Sequence, residues 1–502
     1  ARTRLKWDEA LAVQLVLAQR RQSSVARPAP ACPPKSGGIA EAFDARLPFD
    51  LTPGQREIGE ELRADLASEH PMNRLLQGEV GSGKTVVALR AMLQVIDAGR
   101  QAALLAPTEV LAAQHARSLR DLLGDLARAG ELGAAEHATR VTLLTGSMPA
   151  KQRKQALLDA ASGAAGIVVG THALLGEHVS FADLAFVVVD EQHRFGVEQR
   201  DALRTRAGDG VSPHVLVMTA TPIPRTVAMT VYGDLETSSL RQLPSGRSPI
   251  ATTVVPAAEK PAWLDRAWQR LREEVGKGHQ AYVVCPRIGD EPPSDKTERP
   301  AVAVLDVAPE LENGPLAGLR IGVLHGRLPS DDKDAVMRAF AEGELDVLVA
   351  TTVIEVGVNV PNATLMVIMD ADRFGVSQLH QLRGRVGRGD VPGLCLLVTE
   401  ALDGTAARAR LAAVESTTDG FELSKLDLEL RREGDILGAA QSGKRSGLKL
   451  LSLLRDEELI AQSRRVAAQV VSADPDLAEH PGLAALAAQT IDDERAEYLE
   501  KS

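Results

Sequence analysis

The sequence predicts an α/β chain of two tandem parallel-sheet domains, the first carrying a nucleotide-phosphate loop, with a helical C-terminal region. Three observations predict it. Two separate series of short apolar runs alternate with helix-periodic stretches, the pattern of parallel strands buried on both faces. Gly78-Glu79-Val80-Gly81-Ser82-Gly83-Lys84-Thr85 fits G-x-x-x-x-G-K-[ST] at every fixed position. The apolar run Val187-Val188-Val189 ends in two adjacent carboxylates, Asp190 and Glu191.

Residues 4–22 place Leu5, Ala10, Leu11, Val13, Leu15, Val16 and Leu17 at helical spacing, with Asp8 near the start. Residues 23–40 are rich in Ser, Ala, Pro and Gly and read as a linker, so 1–42 form an N-terminal helix and flexible connection. The first sheet domain spans 43–247. Asn73–Gln77 is short but strand-compatible, and 86–96 reads as the helix after the loop. Strands follow at 102–106, 141–144, 166–169, 185–189 and 214–218. The second domain spans 248–410, with strands at 253–255, 281–284, 321–324, 347–350, 364–368 and 394–398. Residues 289–316 are polar and Pro-rich and read as a surface insertion. Residues 411–502 are mainly helical, and the acidic, Ala-rich 472–502 read as a loosely held tail.

The chain has 502 residues, 44% of them hydrophobic and 25% charged, which is ordinary globular composition. The net charge is −11, so any nucleic-acid site must be a local feature of a cleft. Cys32, Cys285 and Cys395 lie far apart, a spacing that favours neither a zinc site nor a disulfide framework and fits a reducing cytosol. No signal peptide and no 18-residue apolar run is present, so no membrane role is expected.

The phosphate loop needs glycines so that its N–H groups can curl around anionic oxygens, and the following helix N-terminus adds positive potential. Gly78, Gly81, Ser82, Gly83, Lys84 and Thr85 are therefore the expected ATP-binding residues. Lys84 would reach the β- and γ-phosphates and Thr85 a Mg²⁺ ion. Doubly wound sheets place ligand chemistry at the carboxyl ends of strands. Asp190 is then the second expected Mg²⁺ ligand, and Glu191 the base for the attacking water. In the second domain, Gln381-Leu382-Arg383-Gly384-Arg385-Val386-Gly387-Arg388 supplies cations for a phosphoryl-transfer transition state. Arg385 and Arg388 are three apart and would share one helix face. An interdomain ATP site follows from that reading, with closure and opening as the working stroke.

With these motifs in order, the chain resembles the superfamily 2 helicases over roughly residues 43–445. The resemblance implies two RecA-like domains and ATP-driven movement on nucleic acid. It implies that Gln55 and Phe49 meet the nucleotide, together with Gln381. It implies DNA contacts from Thr108 and Gln114 (Pro107–Gln114), from Thr171 (Gly170–Leu175), from His325 (Leu324–Arg327) and from Thr352 (Thr351–Pro361). Thr219 and Thr221 resemble the motif that couples hydrolysis to movement, and His193 and Gly357 join that set.

Asp-Glu-Gln-His at 190–193 with Arg194–Arg200, and Met218–Thr226, resemble two families, RecG and the transcription-repair coupling factor Mfd. Both carry a translocation motif after the second motor domain. Residues 420–431 and 434–443 resemble it, which implies translocation roles for Arg431 and Gln441 on a C-terminal helical hairpin. Leu5–Leu11, Gln19–Arg21 and Leu47–Phe49 favour the RecG family. Two departures stand out. Glu79 replaces an Asp usual in that family, and Arg431-Arg432-Glu433-Gly434-Asp435 replaces Arg-Gly-Pro-Gly-Glu, which changes the turn chemistry. The resemblance implies an upstream oligonucleotide-binding wedge domain, and nothing in residues 1–502 matches one. It implies a duplex-DNA translocase that remodels forks and Holliday junctions, uses ATP and Mg²⁺, acts as a monomer in the bacterial cytoplasm near the nucleoid, and meets single-stranded DNA-binding protein. The Mfd motor is the alternative. With aromatics at 3% of residues, a base-stacking platform is not expected.

Overall fold

Near-continuous apolar strands can be buried on both faces only if helices cover both sides of the sheet, and both sheets are built this way. The structure is a computed structural model that describes residues 2–25, 28–132, 134–176, 178–190, 211–220, 235–242, 250–289, 301–355, 360–389, 391–430, 451 and 456–490. The chain divides into two compact units, 1–244 with 431–502, and 245–430.

The first unit opens with α1 (Arg2–Val25), α2 (Ile39–Asp44) and α3 (Pro53–Leu66). Then come β1 (Asn73–Gly78), α4 (Lys84–Asp97), β2 (Gln101–Leu105), α5 (Glu109–Leu123), β3 (Val141–Leu144), α6 (Ala150–Ala161), β4 (Ile167–Gly170), β5 (Leu184–Asp190), β6 (His214–Thr219) and β7 (Glu236–Leu240). Seven parallel strands lie in the order β3-β4-β2-β5-β6-β1-β7. Leu75 and Val217 pair in adjacent strands and pack with Val215 and Leu235, while Ala103, Val168, Val187 and Val189 anchor a second cluster. Arg74 of β1 is nearly buried and bonds Asp65 and Glu61 of α3 and Glu236 of β7. That network ties the helix before the phosphate loop to the strand that feeds the loop.

The second unit contains β8 (Ile250–Pro256), α7 (Pro261–Gly276), β9 (Gln280–Val284), α8 (Val304–Asn313), β10 (Ile321–Leu324), α9 (Ser330–Ala341), β11 (Val347–Ala350), β12 (Ala363–Ile368), α10 (Val376–Arg383), β13 (Gly393–Thr399), α11 (Ala406–Ser416) and α12 (Gly420–Leu430). Its six strands are parallel in the order β10-β11-β9-β12-β13-β8. One apolar cluster lies on each face of this sheet. The expected surface insertion at 289–316 is contradicted over 301–316, and residues 290–300 lie outside the described residues. Val304, Val307, Ala308 and Leu311 of α8 are core residues, because the helix turns its apolar stripe inward despite Pro309.

Two late helices, α13 (Glu457–Ala473) and α14 (Pro481–Thr490), belong to the first unit. Leu11 and Leu15 of α1 pack with Ala467 and Val471 of α13 and Ala487 of α14. Lys6 and Asp456 form an ion pair at 2.5 Å, and Glu9 accepts from the Leu451 N–H at 2.9 Å. The tail through residue 490 is therefore packed on the N-terminal helix, not loosely held. The Pro-rich stretch after α1 is also fastened: the Cys32 N–H donates to the Leu66 carbonyl at 2.7 Å, and Gln94 donates to the Cys32 carbonyl at 2.7 Å. All three thiols are buried and free, and burial pushes Cys32 up to about 11 and Cys285 and Cys395 to about 12.

Candidate functional site

In the first unit the expected site residues gather at one edge of the sheet, because parallel strands all end on the same side. β1 runs into the phosphate loop. β2 leads to Thr108, β4 to Thr171, β5 ends in Asp190, and β6 ends in Thr219. The phosphate loop turns through Gly81 (φ 83°) and Gly83 (φ 86°), a left-handed conformation that only glycine adopts without strain. Gly83 is also the N-cap of α4, with no side-chain cap, so the N-terminal end of that helix opens at the loop. Lys84 Nζ donates to the Gly78 and Glu79 carbonyls at 2.6 and 2.9 Å. The Ser82 hydroxyl is buried with no hydrogen-bond partner among the described residues. A cradle of this form, with a capless helix end and an orphaned hydroxyl, fits a polyphosphate.

Gln55 sits at the start of α3. Its Oε1 accepts from the Thr52 N–H at 2.9 Å, completing a capping box, and its Nε2 donates to the Ser82 carbonyl at 2.9 Å. Phe49, just upstream, is 45% exposed, an unusual state for a large aromatic side chain.

Asp190 is largely buried and accepts from His115 Nε2 of α5 at 2.7 Å. Thr85 and Asp190 offer a hydroxyl and a carboxylate, the hard oxygen donors that a hydrated Mg²⁺ takes. Thr108 caps α5, its hydroxyl accepting from the Leu111 N–H at 3.3 Å. Thr171 caps a short 3₁₀ turn and is buried, while Gln114 is half-buried on α5. Thr219 is buried at the end of β6. Glu191, His193 and Thr221 lie outside the described residues.

In the second unit the strand ends again carry the motifs. His325 follows β10, and its Nδ1 is buried without a hydrogen-bond partner among the described residues. Thr352 opens a 3₁₀ turn after β11. Gln381 is buried on α10. The arginine cluster corrects the sequence expectation. Helix α10 ends at Arg383, so Arg385 and Arg388 do not share a helix face. Gly384 is the C-cap, and Gly387 takes φ 65° where an added Cβ would press on Gly393 and Ile250. Arg383 is buried inside the unit and donates to the Val414 and Thr417 carbonyls at 2.7 and 2.8 Å. Arg385 and Arg388 are half-buried, and Arg388 Nε donates to the Gly384 carbonyl at 3.0 Å. Burial raises Tyr282 to about 12, and the positive charges of Arg385 and Arg388 pull the other way. Gly357, Arg431 and Gln441 lie outside the described residues.

Sequence reasoning missed His115. It directly follows Gln114 of an expected DNA-contact motif, and nothing in the linear order connects it to Asp190.

Three family models match in chain order. A DEAD/DEAH box helicase model covers residues 52–230, a helicase conserved C-terminal domain 264–390, and ATP-dependent DNA helicase RecG, domain 3, C-terminal, 417–496. The ATP-dependent DNA helicase RecG of Mycobacterium bovis is 58% identical over 100% of this chain and 68% of its own length. The chain belongs to the RecG family. The RecG of Mycobacterium leprae is 56% identical with the same coverage. A solved structure of RecG bound to a three-way DNA junction matches with a TM-score of 0.72 and 38% identity, over 92% of this chain and 57% of that one. The chain thus spans about two thirds of these mycobacterial RecG proteins. The alternative reading as an Mfd motor is not supported: the match over 417–496 is to a RecG domain. As a RecG-family motor with both helicase domains, the chain is an ATP-hydrolysing enzyme. No helix among the described residues is long and apolar enough to cross a membrane.

Proposed function

We propose that this chain is the motor of a duplex-DNA translocase that remodels branched DNA, through fork regression and Holliday-junction branch migration in recombination and repair. One observation carries it. The phosphate cradle, Asp190, Thr219 and the strand-end motifs after β2 and β4 share one sheet edge in a chain that belongs to the RecG family.

Lys84 and the first-turn N–H groups of α4 hold the β- and γ-phosphates of ATP, with Gln55 and Phe49 at the base and Gln381 as a further contact. Thr85 and Asp190 hold Mg²⁺, which when bound neutralises charge on the phosphate oxygens. Glu191 orients and deprotonates the attacking water. Arg385 and Arg388 stabilise the negative charge that builds during transfer. His193, Thr219, Thr221 and Gly357 couple turnover to movement. Thr108, Gln114, Thr171, His325 and Thr352 grip phosphates, a sequence-independent and salt-sensitive mode. Arg431 and Gln441 convert the motion into translocation. The working form is a monomer in the bacterial cytoplasm, near the nucleoid and single-stranded DNA-binding protein.

The test is a gel assay in which the chain, ATP and Mg²⁺ are given a labelled four-way junction. Branch migration is expected from the wild type. Arg431→Ala is expected to hydrolyse ATP yet leave the junction intact. A fully active Arg431→Ala chain would refute the translocation role.

A further inference from the structure

His115 Nε2 lies 2.7 Å from Asp190 Oδ2, and both side chains are only 14% exposed. An ionised carboxylate has no proton to give, so the imidazole N–H is the donor. The two residues come from different elements. Asp190 ends β5 at the sheet's functional edge. His115 stands in the second turn of α5, the helix that Thr108 caps and whose apolar face, Leu111, Ala112, Ala116 and Leu119, is buried. A donor on Oδ2 sets the rotation of the carboxylate about its Cβ–Cγ bond, and with it the direction of Oδ1. Such outer partners hold a metal-ligating group in its working orientation. The same bond makes that orientation depend on where α5 lies.

We infer that His115 is a positioning residue: it orients Asp190 for Mg²⁺ and ties cation binding to α5, the helix opened by the DNA-contact motif. The inference rests on the proposed nucleotide site. It is tested by binding rather than by turnover. Binding of a fluorescent ATP analogue is titrated with Mg²⁺ for wild type, His115→Leu and His115→Gln, each with and without duplex DNA. The leucine variant fills the space without a donor, and the glutamine amide replaces the lost N–H. The half-saturating Mg²⁺ concentration is expected to rise about 10-fold in His115→Leu and to stay within about 2-fold of wild type in His115→Gln. Duplex DNA is expected to lower that concentration for wild type and not for His115→Leu. In Mg²⁺-free buffer all three bind the analogue alike, because the phosphate loop is untouched. A leucine variant that titrates like wild type overturns the inference and leaves the nucleotide site standing. A raised requirement that duplex DNA still lowers keeps the positioning role and overturns the tie to α5. A wild type whose binding ignores Mg²⁺ overturns both the site and the inference.

Discussion

The side-chain amide of Gln55 joins two structures at once: its oxygen accepts from the Thr52 N–H that opens α3, and its nitrogen donates to the Ser82 carbonyl in the phosphate loop. A Cβ on Gly83 would strike that same amide at 2.2 Å, so the loop's glycine and Gln55 fit as a pair. The helix cap and the loop shape are therefore one arrangement.

Gln55→Glu removes the donor of that pair. Its carboxylate still completes the capping box but cannot donate to Ser82. The buried carboxylate then faces the Ser82 carbonyl with no donor between them, so the Tm should fall and ATP binding should weaken on the order of 10-fold or more. Calorimetry and a binding titration check this. Unchanged affinity would show that the bond to Ser82 is irrelevant to nucleotide binding.

The arginines of the 381–388 segment should divide by role. Arg383→Ala leaves the buried Val414 carbonyl and the half-buried Thr417 carbonyl without this donor, so it should cost about 3 kcal/mol and lower the Tm. Arg385→Ala should leave the Tm near wild type and reduce kcat on the order of 10³-fold. Melting curves and steady-state kinetics on both variants decide it. Near-normal kcat in Arg385→Ala would remove this residue from the chemistry.

His214 predicts an acid-sensitive joint. Its Nδ1 accepts from the Met72 N–H and its Nε2 lies 3.1 Å from the Pro30 carbonyl, so the neutral ring with its proton on Nε2 satisfies both bonds. Burial lowers its pKa below the ordinary value of 6.5. The unfolded chain then binds the proton more readily, so the stability linked to this residue is full above about pH 6.5 and is lost as the pH falls through the lower folded value. Urea unfolding of wild type between pH 7.5 and 5 should show that decline, and His214→Gln should flatten it. An equal slope in the variant would assign the acid sensitivity elsewhere.

Much of this was legible in the sequence because parallel strands buried on both faces are written as apolar runs. Val347–Ala350 and Ile321–Leu324 are strands where expected, and the phosphate loop declares itself through glycine spacing. β7 was not legible. Its Glu-Thr-Ser-Ser-Leu segment lies at the sheet edge, where fewer side chains need to be apolar. α8 was hidden by Pro309, and the split between Arg383 and Arg385 depends on where Gly384 ends a helix. The packing of Leu11 and Leu15 against Val471 and Ala487 joins the two ends of the chain, and a linear pattern carries no trace of it. The His115–Asp190 bond is hidden for the same reason.

The most direct measurement is the ATPase rate of this chain alone, with linear duplex and with a three-way or four-way junction, beside Lys84→Ala. A branched-DNA motor predicts turnover that rises with DNA, rises further with the junction once the upstream region of a full-length relative is joined to it, and vanishes in Lys84→Ala while the fold is kept. Turnover that ignores DNA in every form, or that survives in Lys84→Ala, would contradict the account.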